Sequence, residues 1–401
     1  MVTDPSCIFD WCYQKALGDT TNASHPEKSG ALDGLRVLET ATVLAGPAVG
    51  MFLAECGARV LKVEPLTGDV TRQWTLAHEA PAQGQSAYFC SVNWGKASLL
   101  SALDRQDERD ILHRLITEAD ILITNNLPRQ EKALGLDWET LHAINPRLLV
   151  GRINGYGAES SRPGYDSLVQ AESGYVSMNG PPGGPGHKMP VALMDVLAAH
   201  QLKEGLLLGL LQRGTHGLGR EIRVSLLDSG LASLSNQATN WWMGGVEAVP
   251  MGSEHPNIVP YGSTFCCRDG LWLTLAVGNN TQFEAACDTL QLELQAQWST
   301  PSGRLQDKTN LLAHLQKRFS LKDRAHWLLA LEANRVPAAP VNSLSQALEH
   351  PSALRLKLSE EGLNGLRTAV FEGVNESPLP MKPPPPLPVL TLSKAAIGFQ
   401  A

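Results

Sequence analysis

Short apolar runs alternate with amphipathic stretches through the first half of the chain, starting within Gly34–Arg72. Leu35–Leu38 is one apolar run, and Ala48–Cys56 carries small and apolar residues at helical spacing before Gly57. Arg59–Glu64 is a second run, closed by a turn at Gly68–Asp69. Two strands joined through one helix lie parallel, because only a crossover returns the chain. The same reading predicts strands over Ser98–Leu103, Ala119–Thr124, Leu148–Ile153 and Glu221–Leu226. Between them it predicts helices over Arg105–Glu118 (with Asp104 as its cap), Trp138–Ile144 and Val196–Gln212. This alternation is α/β, a doubly wound parallel sheet. Such sheets bind ligands at the carboxyl ends of their strands, which makes Thr40–Pro47 the first candidate loop.

From about Ser229 the pattern changes. Ser263–Cys267 and Leu271–Val277 flank Arg268–Asp269–Gly270, a hairpin signal, and helical patterns follow over Gln282–Leu290, Asp307–Phe319 and Asp323–Asn334. These form a smaller central α+β domain. Pro383–Pro386 and Pro388 mark an extended tail. The expected organisation is an extension over 1–30, the first part of a large domain over 31–228, a small domain over 229–335, and a return with a tail over 336–401.

Composition narrows the partners. A chain of 401 residues exceeds one ordinary core, which agrees with two domains. A net charge of −7 argues against nucleic acid and anionic membrane surfaces. The seven cysteines are irregularly spaced and lack a CxxC pair, so they read as free thiols of a reducing cytoplasm, not as disulfides or a zinc site. No run reaches the length of a membrane span, and the acidic first thirty residues resemble neither a secretory signal nor a transit peptide.

Several chemistries lack their motifs. The chain has no GxGxxG after its first strand, no GxxxxGK[ST] and no GxSxG. Its histidines form neither HExxH nor HxH, so no metal site is expected. What remains is a carboxylate. Pro190–Met194 runs into Asp195, and a long apolar helix follows. Asp195 is either a helix N-cap or an acid aimed by the helix terminus as a nucleophile.

At these residues the chain resembles the class III coenzyme A-transferases, a group that includes formyl-CoA, carnitine and succinate–hydroxymethylglutarate CoA-transferases and the α-methylacyl-CoA racemases. The likeness runs from about Leu32 to Val389. Its segments are Val43–Pro47, Glu55–Pro65, Gly68–Arg72, Ala119–Asn126, Leu134–Leu149, Arg162–Gly174, Pro190–Asp195, Gly219–Ser229, Val277–Phe283 and Val336–Val341, all in family order. The resemblance implies a Rossmann-like large domain built from both chain ends and an interlocked homodimer. It implies acyl-CoA as substrate, with no permanently bound cofactor, and a small carboxylic acid as acceptor, with succinyl-CoA as the suggested donor. Asp195 would be the nucleophile. CoA would lie over the Leu44–Ala45 backbone and the turn Asn125–Asn126–Leu127, and the acceptor near His255 and Gly278–Asn279–Asn280 of a second subunit's small domain.

Departures from the family pattern sharpen the reading. Racemases of the group carry a histidine where Tyr165 precedes Asp166 here, and a glutamate in the segment that holds Asn280. A tyrosine with an ordinary pKa near ~10 is a poor proton shuttle at neutral pH, which favours transfer over racemisation. Asp166 itself reads as a turn or cap residue. Two family cations at the CoA phosphates are replaced by Ala133 and Asp104, leaving Arg72, Lys96, Arg129 and Lys132 as candidate substitutes. The tail lacks the terminal helix motif common in the group. These losses motivate a third reading, a divergent homologue that binds a ligand without turnover.

Overall fold

A computed structural model describes residues 7–18, 30–374 and 378–399. Its main sheet contains β1 (Arg36–Glu39), β2 (Arg59–Pro65), β3 (Lys96–Ser101), β4 (Ile121–Thr124), β5 (Leu149–Asn154) and β6 (Glu221–Ser225). Their order is β3-β2-β1-β4-β5-β6, with every pair parallel. Chain order therefore reverses between β1 and β4, and the crevice at that point is where a doubly wound sheet places its ligand. Both faces are covered. Val37 points into one buried cluster with Met194, Ala198 and Leu202, while its neighbour Leu38 enters another with Ile116 and Leu122. Alternation across a strand buried on both sides gives the continuous apolar runs seen in the sequence.

The helix after β1 covers Ala45–Glu55, three residues earlier than its apolar pattern suggested. Pro47 is accommodated because the first-turn amides of a helix have no intrahelical partner. The helix before β6 likewise begins early, at Leu193, and ends at His216 before Gly217 in the left-handed region. Asp104 is not a cap: Arg105 holds the N-cap position of the Gln106–Glu118 helix, without a side-chain cap bond.

Both chain ends join this sheet. Ile8–Ala16 is a helix whose Ile8, Phe9 and Cys12 are buried with Leu392 and Ala395 of the tail. The remainder of the expected 1–30 extension lies largely outside the described residues. The proline run is extended and held by its carbonyls: Pro384 accepts from Gln85 and Pro385 from Arg72. Leu100 then donates to Leu390, so the tail runs parallel to the outer edge of β3.

The larger compact unit comprises residues 1–175, 188–246 and 352–401, and the smaller 176–187 and 247–351. These boundaries differ from the expected 229–335 small domain. In the smaller unit β7 (Tyr261–Cys266), β8 (Trp272–Ala276) and β9 (Ala338–Pro340) form an antiparallel sheet. Pairing of Leu273 with Pro340 and of Leu275 with Ala338 keeps 336–351 in this unit. A bond from the Gly252 amide to the Gly180 carbonyl ties 176–187 to it. Residues 229–246 instead remain with the larger unit, where the Leu226–Ala232 helix buries Leu226 in the core with Met194. Among the described residues no helix is long and apolar enough to cross a membrane.

Candidate active site

The carboxyl ends of β1 and β4 are joined by a reciprocal amide pair. Asn125 accepts from the Thr42 amide (3.2 Å) and donates to the Thr42 carbonyl (2.9 Å). The next residue, Val43, has φ 74°. A β-branched residue in that region is strained by about 1–3 kcal/mol, so its surroundings must impose the conformation. They do so through Asp69, whose carboxylate faces the Val43 amide at 3.3–3.4 Å and accepts from Thr71 nitrogen and hydroxyl.

Asp69 is anchored in turn. Fully buried Lys62 contacts it at 3.1 Å, donates to Glu39 at 3.0 Å and donates to the Ala41 carbonyl at 2.7 Å. Burial works against the Lys62 charge, but Glu39 and Asp69 outweigh it and hold the ammonium above its ordinary pKa. Burial also opposes ionisation of Asp69, and Lys62 with the Thr71 bonds reverses that and keeps the carboxyl low. The motif residues of β1, β2 and the Gly68–Arg72 turn thus build the base of the 40–45 loop.

This network corrects two expectations. Arg72 does not reach out to phosphate: it is 4% exposed, pairs with Glu64 through two nitrogens (2.6 and 2.7 Å), and stacks over Phe89. Lys96 is equally enclosed, bonded to Glu39, Asn93 and the Pro47 carbonyl at 2.8–2.9 Å. Both are buried and bonded to acceptors of the protein itself. Arg129 and Lys132 are exposed, on the Pro128–Leu134 helix that follows Leu127.

A cleft of about 200 Å³ opens at the switch point, lined by Leu44, Ala45, Asn125, Leu127 and Asp195 among others. Asn126 is not part of the lining; it accepts from the Thr124 hydroxyl instead. The opposite wall is 153–155 and 163–166, where a Cβ on either Gly155 or Gly164 would collide with the backbone of the other. No lysine, arginine or histidine lines the cleft among the described residues.

Asp195 is not an N-cap. Ala192 occupies that position without a side-chain bond, and Asp195 is the third residue of the Leu193–His216 helix. The first-turn amide of Met194 is satisfied from a different helix, by Asp166 at 2.7 Å. Asp166 is therefore a cap, as its sequence context suggested, but for the helix that carries Asp195. The Asp195 side chain is left with no hydrogen bond or ion pair among the described residues, and burial, reinforced by the Asp166 charge, lifts its pKa to about 7. A carboxylate relieved of structural bonds, facing a cleft at a helix N-terminus, is fitted to act on a ligand.

A family model described as CoA-transferase family III matches residues 32–387. The chain belongs to that family. It is a class III CoA-transferase, an enzyme of acyl-CoA metabolism that takes acyl-CoA as substrate. The succinate–glutarate CoA-transferase of Agrobacterium fabrum is 34% identical, covering 90% of this chain and 94% of its own. The human succinyl-CoA:glutarate CoA-transferase is 34% identical over 80% of this chain and 74% of that protein. Among solved structures, a CAIB/BAIF family protein from Brucella suis superposes with TM-score 0.79 at 33% identity, covering 92% of this chain and 99% of that one.

The residues expected to serve this transferase's acceptor sit in the smaller unit, whereas every cleft-lining residue named above belongs to the larger. His255 accepts from the Asn257 amide and packs edge-on to Tyr261. Asn279 caps the Asn280–Leu290 helix through a bond from Gln282, and Gly278 donates to the Gln282 side chain. Asn280 accepts from Arg304 at 2.9 Å. Tyr88, which the sequence reading did not single out, packs edge-on to Trp74, and burial, reinforced by the Asp195, Asp166 and Asp69 charges, pushes its phenol up to about 12. Lying on a four-residue helix with no motif of its own, Tyr88 offers only an aromatic among apolar neighbours to the eye.

Proposed function

We propose that this enzyme transfers CoA from succinyl-CoA to a short dicarboxylic acid of the glutarate class, with Asp195 as the covalent carrier. The Asp195 carboxylate attacks the thioester carbonyl and forms an aspartyl–succinyl anhydride while CoA leaves as thiolate. The thiolate attacks the aspartyl carbonyl, which releases succinate and leaves an aspartyl-CoA thioester. The acceptor carboxylate attacks that thioester, forming a second anhydride and freeing the thiolate again. Attack of the thiolate on the acceptor carbonyl yields the new acyl-CoA and restores Asp195. Each step exchanges one acyl bond for another, so the thioester energy is conserved if water is kept out.

The observation carrying this reading is the freedom of Asp195: it faces the switch-point cleft with its helix-capping duty taken by Asp166. Free amides at the start of the Ala45–Glu55 helix supply donors for the oxyanions formed along the path. Among the described residues no histidine lines the cleft, which supports transfer over racemisation. The substrate class rests on the relatives, several of which are named for succinyl-CoA and glutarate. CoA phosphates are assigned to Arg129 and Lys132, since Arg72 and Lys96 are enclosed. A homodimer, with the second subunit's His255 and Gly278–Asn280 near the acceptor, completes the proposal. Exposed Trp241, Trp242 and Met243 offer an apolar surface for that assembly. The seven free cysteines suit a reducing compartment such as the cytoplasm.

Incubation with succinyl-CoA and hydroxylamine, followed by peptide mass spectrometry, tests the mechanism. A hydroxamate on Asp195, absent in Asp195→Asn, is the expected result. Turnover of succinyl-CoA and glutarate with no trapped adduct at any hydroxylamine concentration would exclude the covalent route.

A further inference from the structure

Asp166 and Gln170 stand one turn apart on the Asp166–Glu172 helix, and their side chains are joined by a 2.6 Å bond from Gln170 Nε2 to Asp166 Oδ2. Between them they reach three points of the segment leading into the helix of Asp195. Asp166 Oδ1 accepts from the Met194 amide at 2.7 Å, Gln170 Oε1 accepts from the Met189 amide at 2.7 Å, and Gln170 Nε2 donates to the Val191 carbonyl at 3.3 Å. Gln170 is fully buried. No backbone ladder holds 189–192, and Ala192 contributes no cap. The pair therefore replaces the missing local structure along a six-residue approach.

We propose that Asp166 and Gln170 are positioning residues that together hold the first turn of the Leu193–His216 helix and so aim Asp195 at the acyl carbon. The inference rests on Asp195 being the nucleophile. Neither residue needs to touch substrate. Their effect follows from geometry, because displacement of a reacting group by about 1 Å lowers rate by about 100-fold. The two members differ in one respect. Asp166 also contributes charge to the environment of Asp195, whereas Gln170 is neutral. Of the other titratable groups, Tyr165 lines the same cleft, and Tyr88 is influenced by the Asp195 charge.

The test uses the full-length enzyme and three variants. Asp166→Asn removes the charge and keeps one acceptor oxygen for Met194 while giving up the bond from Gln170, Gln170→Leu keeps the charge but removes the bonds to Asp166, Met189 and Val191, and Asp195→Asn is the control. Hydrogen exchange of the Met194 and Met189 amides and 13C carboxyl titration of Asp195 are read without substrate. Hydroxamate trapping is read across pH. Gln170→Leu is expected to speed exchange at Met189 and lower trapping about tenfold or more, with the Asp195 midpoint unmoved. Asp166→Asn is expected to move that midpoint and the trapping profile to lower pH. Protected amides in both variants together with native trapping rates would overturn the proposal. So would a loss of thermal stability alone, with trapping per folded molecule unchanged. If the parent enzyme turns over without any Asp195 adduct, the nucleophile reading fails by itself, and the exchange and titration results still decide whether the pair holds and tunes that turn.

Discussion

The backbone amide of Val43, at φ 74°, faces the buried carboxylate of Asp69 at 3.3 Å, across the crevice floor from the end of β1. A loop proposed to carry CoA is thus held in a strained shape by a charge that is itself balanced on Lys62. Replacing Lys62 with Met leaves Glu39 and Asp69 without that counter-ion. Removal of one partner from a buried pair costs about 3–5 kcal/mol, and chemical denaturation should report a loss of that size. Val43→Gly relaxes the strain and is expected to retain or gain stability while lowering turnover, as the loop is no longer confined to one shape.

Asp195 gives a signed pH dependence. Its proton leaves the unfolded chain near 3.8 and the folded chain near about 7, so the folded state holds more protons between those values. Its contribution to stability therefore falls as pH rises through that window. Asp195→Asn should be more stable than the parent, by on the order of 1–3 kcal/mol at about pH 8 and by little at about pH 4, as read from urea unfolding at each pH. Trapping of the parent by hydroxylamine should rise with pH through about 7, because attack requires the carboxylate.

Arg129 and Lys132 are the exposed cations proposed for the CoA phosphates. Their replacement by Ala should raise KM for succinyl-CoA severalfold at low salt, leave kcat nearly unchanged, and flatten the salt dependence of kcat/KM. Steady-state kinetics at two ionic strengths decide this. Arg72→Ala should behave differently, lowering stability because Glu64 loses its partner.

The tail is structural. Leu392 is fully buried beside Phe9 and Cys12. Leu392→Ala should destabilise the enzyme by about 2–4 kcal/mol, measured by thermal or chemical unfolding. Loosening of the Ile8–Ala16 helix should accompany it, visible as faster hydrogen exchange there.

The sheet was legible because strands buried on both faces leave contiguous apolar runs, and all six predicted strands overlap the observed ones. The hairpin around Asp269–Gly270 and the three later helices were legible for the same local reasons, namely turn chemistry and periodicity. Element starts were less so. Leu193 begins a helix whose Met194 amide is satisfied by Asp166 from another element, and Ala45 begins one with no side-chain cap at all, so neither start is marked by its own neighbours. The boundaries of the smaller unit also escaped, since β9 is assigned by its ladder with β8 and not by its own residues.

By itself, then, the sequence determined the α/β alternation, the loop at the end of β1 and the acid at position 195, all read within a few neighbouring residues. The tertiary structure alone decided what each polar group is free to do. Arg72 and Lys96 look like ligand cations until Glu64 and Glu39 enclose them. Asp195 looks like a cap until Asp166, twenty-nine residues earlier, is found accepting from Met194 in its place. The reason is physical: a buried charge takes the partner that folding brings to it, and partners distant in sequence leave no periodic trace along the chain.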